Sequence, residues 1–104
     1  MDVFGVIADP TRRKLIELLA DGEHQVNELV AHFDISFSAI SQQLRILSDA
    51  NLVQSRREGR TQLYRLEPGN LDPVAEWLSR YARSFWSKKL QNLDGVLKRI
   101  KDAT

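Results

Sequence analysis

Apolar residues Leu15, Ile16, Leu18 and Leu19 recur at helical spacing behind Asp9-Pro10, and the run stops at Asp21-Gly22. Asp is a good N-cap, and Pro costs nothing at the first helical position, where its missing N–H would have no partner. Gly accepts the left-handed turn that ends a helix. A second, shorter helix fits Val26 to Phe33, with Leu29, Val30 and Phe33 on one face and a weak start, because Gln25 is a poor N-cap. Ser36 is a better cap, and Ile40, Leu44 and Leu47 behind it form an i, i+4, i+7 stripe. That helix is expected to run to about Ala50, with Asn51 in the left-handed conformation it tolerates second only to Gly. Only the Asp34-Ile35 turn separates these two helices, which gives a helix-turn-helix outline.

The period changes over Leu52–Leu66, where Val53, Tyr64 and Leu66 favour strand and Glu58-Gly59 lies midway between Arg57 and Arg60. A hairpin with a primed two-residue turn is the simplest reading, its register open by one residue. From about Leu71 the helical period returns in Leu71, Val74, Leu78, Tyr81 and Phe85, then one position later in Trp86, Leu90, Leu93, Leu97 and Ile100. An unbroken helix of some thirty residues would be about 45 Å long; Asp94-Gly95 is a possible break. The expected architecture is one domain, mostly α with a small β-hairpin, in the order α-α-α-α-β-β-α. Residues 1–8 form an N-terminal helix, 9–51 a helical core, 52–66 a β-wing and 70–101 a long C-terminal dimerisation helix.

Composition narrows the function classes. The 104 residues contain no Cys, so there is no disulfide, no thiolate metal site and no thiol nucleophile. No apolar run approaches a membrane span, and Met1-Asp2-Val3-Phe4 is not a signal peptide, so a cytoplasmic location without membrane contact is expected. The 15 basic and 14 acidic residues leave a net charge of +1, which taken alone argues against a polyanion partner. The distribution is uneven. Residues 17–34 carry −5, whereas residues 35–66 carry +3 through Arg45, Arg56, Arg57, Arg60 and Arg65 set against Asp49 and Glu58.

The third core helix gives that positive segment a shape. Ile40, Leu44 and Leu47 turn inward and leave Phe37, Ser38, Ser41, Gln42 and Arg45 on the other side. Ser, Gln and Arg suit phosphate oxygens and base edges, although an ordinary solvated face has the same composition. Phe37 could pack on a thymine methyl or back onto a neighbouring helix. Arg56, Arg57 and Arg60 flank the Gly turn, and like charges crowded on a hairpin tip are costly unless a phosphate backbone or minor groove screens them. A helix-turn-helix followed directly by a basic hairpin is a winged helix.

Four stretches, in order, resemble the ArsR/SmtB family of winged-helix repressors. They are Ala8-Asp9-Pro10-Thr11-Arg12-Arg13 leading into Leu15–Leu19, then Val26-Asn27-Glu28-Leu29. After these come Ser38–Leu44 with Leu47, and Arg56-Arg57-Glu58-Gly59-Arg60 ahead of Leu63–Leu66. The resemblance covers about Ile7 to Leu66 and is closest to the SdpR-like branch of small autorepressors that lack metal ligands. It implies a homodimer on a pseudo-palindromic double-stranded DNA operator. Phe37, Ser38, Ser41 and Gln42 would face the major groove, and Arg57 and Arg60 would sit at the wing tip. Gln43 stands where many members have His, and Asn51 where most have Gly.

The family's metal sites do not carry over. Gln25 and Asn27 fill the thiolate positions, and taking Asp72 as the acid of the second site lands its partners on Val74, Phe85 and Lys88. No metal or cofactor is expected, and His24 and His32 read most simply as surface residues. Trp77, Tyr81, Phe85 and Trp86 on the last helix could line a pocket for an apolar effector of unknown identity. The preferred reading is a dimer seam of Val3, Phe4, Leu78, Tyr81, Phe85, Trp86, Leu90 and Leu93, since a small body cannot bury so long an apolar stripe. Catalysis is not expected, because no P-loop, dinucleotide turn or His–carboxylate pair at motif spacing occurs. The alternative function is a winged-helix protein–protein interaction module with no operator of its own.

Overall fold

The computed structural model describes the backbone of residues 1–103 and the side chains of residues 1–92 and Gly95. Short local signals start the helices. Asp2 caps α1 (Val3–Ile7), its carboxylate accepting from the Gly5 N–H at 2.9 Å. Asp9 caps α2 (Pro10–Leu19) by accepting from the Arg12 N–H at 3.0 Å, with Pro10 at the first position as expected. Ser36 caps α4 (Phe37–Asp49) by accepting from the Ala39 N–H at 3.1 Å. Asn51 has φ 59° and turns the chain out of α4.

The weak start of α3 (Val26–Val30) is repaired from inside the helix. Glu28 reaches back and accepts the Gln25 N–H at 2.9 Å, half of a capping box. This helix ends three residues before the expected Phe33. His32 and Phe33 continue only as hydrogen-bonded turns onto Leu29 and Val30.

The wing is β2 (Val53–Glu58) and β3 (Thr61–Leu66), paired antiparallel from Val53↔Leu66 to Glu58↔Thr61. The two-residue turn is therefore Gly59-Arg60, one residue beyond the expected Glu58-Gly59 centre. Gly59 has φ 63° while Arg60 keeps a negative φ, as a type II′ turn requires. A strand absent from the sequence reading, β1 (His24–Gln25), pairs with β3 through His24↔Tyr64 and Gln25↔Leu63. The sheet order is β1-β3-β2.

Val6, Leu15, Leu19, Leu29, Ile40, Leu44, Leu47, Leu52 and Val53 make the core, each at most 2% exposed. Every helix of the first unit faces it with an apolar stripe, so α4 has a dry inner side and a solvated outer side. Leu52 and Val53 anchor the root of the wing in the same core, whereas the rest of β2 is exposed. Glu67 donates its N–H to the Leu52 carbonyl at 2.7 Å, and the Asn70 amide donates to the Asn51 carbonyl at 2.7 Å. A single turn of 3₁₀ helix, Pro68–Leu71, follows.

Residues Met1–Pro73 and Val74–Thr104 form two compact units. Helix α5 (Asp72–Ala103) begins at the end of the first unit, supplies the second from Val74 onward, and runs through Asp94-Gly95 without the possible break. Among the described residues no helix is long and apolar enough to cross a membrane.

Candidate nucleic-acid interface

Helix geometry fixes what α4 can present. With Ile40, Leu44 and Leu47 fully buried, positions 38, 41, 42 and 45 fall on the opposite side. Ser38, Gln42 and Arg45 are exposed and Ser41 is half-buried. Ser41, Gln42, Arg45, Ile46 and Asp49 line an open groove of about 480 Å³ along this side. Ser38 Oγ lies 3.2 Å from Ser36 Oγ, so the first turn carries two hydroxyls beside the helix's unpaired N–H groups. Donors, acceptors and a guanidinium are thus arrayed on a rigid element at the spacing of successive helical turns.

Phe37 is 52% exposed, so it does not pack fully back onto a neighbouring helix. With Val26, Asn27, Arg60, Thr61 and Gln62 among its companions, it lines a cleft of about 270 Å³. That cleft joins the start of α4 to the tip of the wing. The two expected reading elements, separated in sequence, therefore border one surface.

The basic residues divide by partner. Arg56 donates Nε and Nη2 to the two oxygens of Glu23, at 2.8 and 2.9 Å, and Nη2 also to Glu58 at 3.2 Å. The Arg56 guanidinium holds the Glu23 carboxyl below its usual range. Arg65 bonds Gln54 at 2.9 Å and pairs with Glu67 at 3.0 Å. Arg45, Arg57 and Arg60 have no internal partner among the described residues. Sequence reasoning grouped Arg56 with Arg57 and Arg60, but strand alternation sends Arg56 and Arg57 to opposite faces of the wing. Glu23, 33 residues away, then takes up the Arg56 fork.

The triplet in α2 serves the fold instead. Arg12 donates to the Val6 carbonyl at 2.7 Å, the Gly5 carbonyl at 3.4 Å and Gln43 Oε1 at 2.9 Å. Arg13 bonds the Ile7 and Ala8 carbonyls at 2.7 and 2.8 Å. Lys14 bonds the His32 carbonyl at 2.6 Å, and its ammonium stands 4.8 Å from the centre of the Phe33 ring. Arg12 and Arg13 thereby satisfy carbonyls at the end of α1 that a helix leaves without partners. Gln43, noted in the sequence for replacing a common His, is the acceptor that joins Arg12 to α4.

A profile described as "Bacterial regulatory protein, arsR family" matches residues 9–55, from the cap of α2 into the wing. The transcriptional repressor SdpR of Bacillus subtilis (strain 168) is 35% identical over 80 residues, covering 77% of this chain and 89% of SdpR. The chain belongs to the ArsR family. The HTH-type transcriptional regulator Rv2034 of Mycobacterium tuberculosis is 38% identical over 84 residues, covering 81% of this chain and 75% of that protein. The crystal structure of a possible transcriptional regulator for arsenical resistance superposes with a TM-score of 0.71 at 46% identity, covering 89% of this chain and 93% of that one. This ArsR-family member is accordingly a winged-helix transcriptional regulator, and its α3–α4 pair and β2–β3 hairpin are the helix-turn-helix and wing of that fold.

Gln25 and Asn27, read from the resemblance as standing at the thiolate positions, lie beside this surface. Gln25 pairs with Leu63 in the sheet and heads α3, while Asn27 borders the Phe37 cleft. His24 Nδ1 lies 3.3 Å from Glu28, whose carboxyl is held low by the Gln25 N–H first and by His24 second. Among the described residues no three His, Cys, Asp or Glu side chains come together.

In α5, Leu78, Tyr81, Phe85, Trp86 and Leu90 are each 53–59% exposed. Trp77 meets Tyr81, and Phe85 meets Trp86, edge to face with centroids 5.4 and 5.1 Å apart. With Leu78 and Ala82 they border an open apolar groove of about 510 Å³. Of the other residues expected at a dimer seam, Phe4 is 39% exposed, whereas Val3 packs partly against the core. The Leu93 side chain lies outside the described residues.

Proposed function

We propose that the protein is a homodimeric repressor that reads a pseudo-palindromic operator through α4 and the wing, within one winged-helix domain carrying its own dimerisation helix. Ser38, Ser41 and Gln42 contact base edges and phosphates in the major groove, Phe37 packs on a thymine methyl, and Arg45 adds a phosphate contact. Arg57 and Arg60 hold the backbone or minor groove at the wing, with Arg56 on the wing's far flank. The observation that carries this reading is the set of three guanidiniums, of Arg45, Arg57 and Arg60, that have no partner among the described residues and stand around the outer side of α4 and the wing tip. The names of the relatives support repression. An interaction module without an operator would present an apolar, weakly charged face there, and Phe37 alone has that character. The role is binding rather than catalysis.

The exposed stripe of α5 supports a second copy of the chain as its cover. Six half-exposed large apolar side chains among the described residues of one helix are more than an isolated surface tolerates. A two-fold seam buries the same residues on both partners. An apolar effector in the groove is the second reading, favoured only by its lining of four aromatic rings.

Selection of bound duplexes from a random pool tests both parts. The expected consensus is an inverted repeat with half-sites about 34 Å apart, or a multiple of that. Light scattering should give about twice the 11.9 kDa chain mass. A consensus without two-fold symmetry, or a monomer mass at micromolar concentration, would overturn the dimeric reading.

A further inference from the structure

We propose that Glu23 determines specificity by withholding Arg56 from DNA phosphate. This rests on the winged-helix reading above. Arg56 lies on the face of β2 that also carries Glu58, and Glu23 stands just ahead of β1, so their contact spans the central strand β3. Both fork nitrogens of Arg56 are engaged by the two Glu23 oxygens, the bidentate geometry that an Arg otherwise offers to phosphate. Glu58 adds a second carboxylate, so one guanidinium is shared between two anions.

The pair is not needed to hold the sheet together. Six residue pairs join β2 to β3, and β1 adds two more. All three side chains are substantially solvated, and ion pairs of that kind contribute little to stability. Its effect falls on binding. A hairpin lying in a groove has a phosphate strand along each flank. An unpaired Arg56 would therefore contact phosphate at any sequence, opposite to Arg57. Phosphate contacts set non-specific affinity and carry no sequence information. Engaging Arg56 internally lowers the background against which α4 discriminates.

The test uses the full chain, a random-sequence duplex and the duplex selected by the wild-type protein, titrated by fluorescence anisotropy at several salt concentrations. Glu23→Ala should bind the random duplex about threefold tighter at low salt and show a smaller ratio of specific to random affinity. Gaining one phosphate contact per chain should add about 3.5-fold per bound chain to the affinity lost between 50 and 200 mM salt. In Glu23→Ala/Arg56→Gln the gain should vanish. No gain, a loss, or a gain that survives Arg56→Gln would overturn the proposal, the last by showing that removal of a nearby negative charge suffices. Arg57→Glu/Arg60→Glu in the same titrations reports on the wing itself. Unchanged binding there would reject the proposed DNA-binding role of the wing independently of Glu23.

Discussion

Two clusters of cations, Arg12-Arg13-Lys14 in α2 and Arg56-Arg57 with Arg60 in the wing, look alike in the sequence and differ in the fold. Each side chain of the first is engaged by a backbone carbonyl, and Arg12 also by Gln43. In the second, Arg56 is engaged by carboxylates, while Arg57 and Arg60 extend from a hairpin tip with no partner among the described residues. A cation already donating hydrogen bonds inside the molecule is held in place by them and has fewer donors left for phosphate. A free one forms new bonds and releases counterions. In the proposed reading, the partner of each charge, rather than the number of charges, separates scaffold from binding surface. That is how a chain of net charge +1 can carry a DNA-binding face.

The contrast can be broken or sharpened experimentally. The largest expected effect is on salt dependence. If six to ten phosphates are contacted across the dimer, affinity should fall by about 10³–10⁵ between 50 and 200 mM salt. A flat response in the same titration would remove phosphate from the account. Next is Arg12→Ala, which strips charge-assisted bonds from the Val6 and Gly5 carbonyls and from Gln43. Denaturant unfolding should report a loss of about 3 kcal/mol, and a loss near zero would place α1 under other control. Gln42→Ala should weaken operator binding by ~1–3 kcal/mol and leave circular dichroism unchanged. Equal weakening on random duplex would assign Gln42 to phosphate rather than to bases.

Acid should have the smallest effect. Glu23 and Glu28 both have depressed carboxyl values in the folded protein, from Arg56 and from the Gln25 N–H respectively. Their contributions are present above the ordinary carboxylate value and are lost as pH falls through the lower folded value. Helical circular dichroism followed down through that range should show Glu28→Gln less acid-sensitive than wild type. An identical acid transition would show that the α3 cap does not depend on this charge.

Local chemistry was legible in the sequence. The Asp9-Pro10 start, the Ser36 cap, the left-handed Asn51 and the Ile40, Leu44, Leu47 stripe each depend on residues within a few positions of one another. The elements that escaped depend on distant partners. Strand β1 has two residues, too few for any period, and exists because Tyr64 and Leu63 come alongside. The wing register slipped by one because β2 buries only Val53, which leaves its alternation almost silent. Gln25 is a poor cap by type, and its repair came from Glu28 three residues on, a signal the sequence did contain. The candidate site was legible in the same measure. The outer side of α4 follows from its inner stripe, but Arg56 could not be set apart from Arg57 without strand register and Glu23.

The most direct test compares two substitutions that change net charge equally. Arg57→Gln/Arg60→Gln and Arg13→Gln/Lys14→Gln each remove two positive charges, and each can be titrated against random-sequence duplex across a salt series. The wing pair should lower affinity and reduce the salt slope by about 2 per chain. The α2 pair should leave the slope of the folded protein unchanged. Equal losses of slope from both pairs would show that total charge governs binding and would contradict the division of the two clusters by partner.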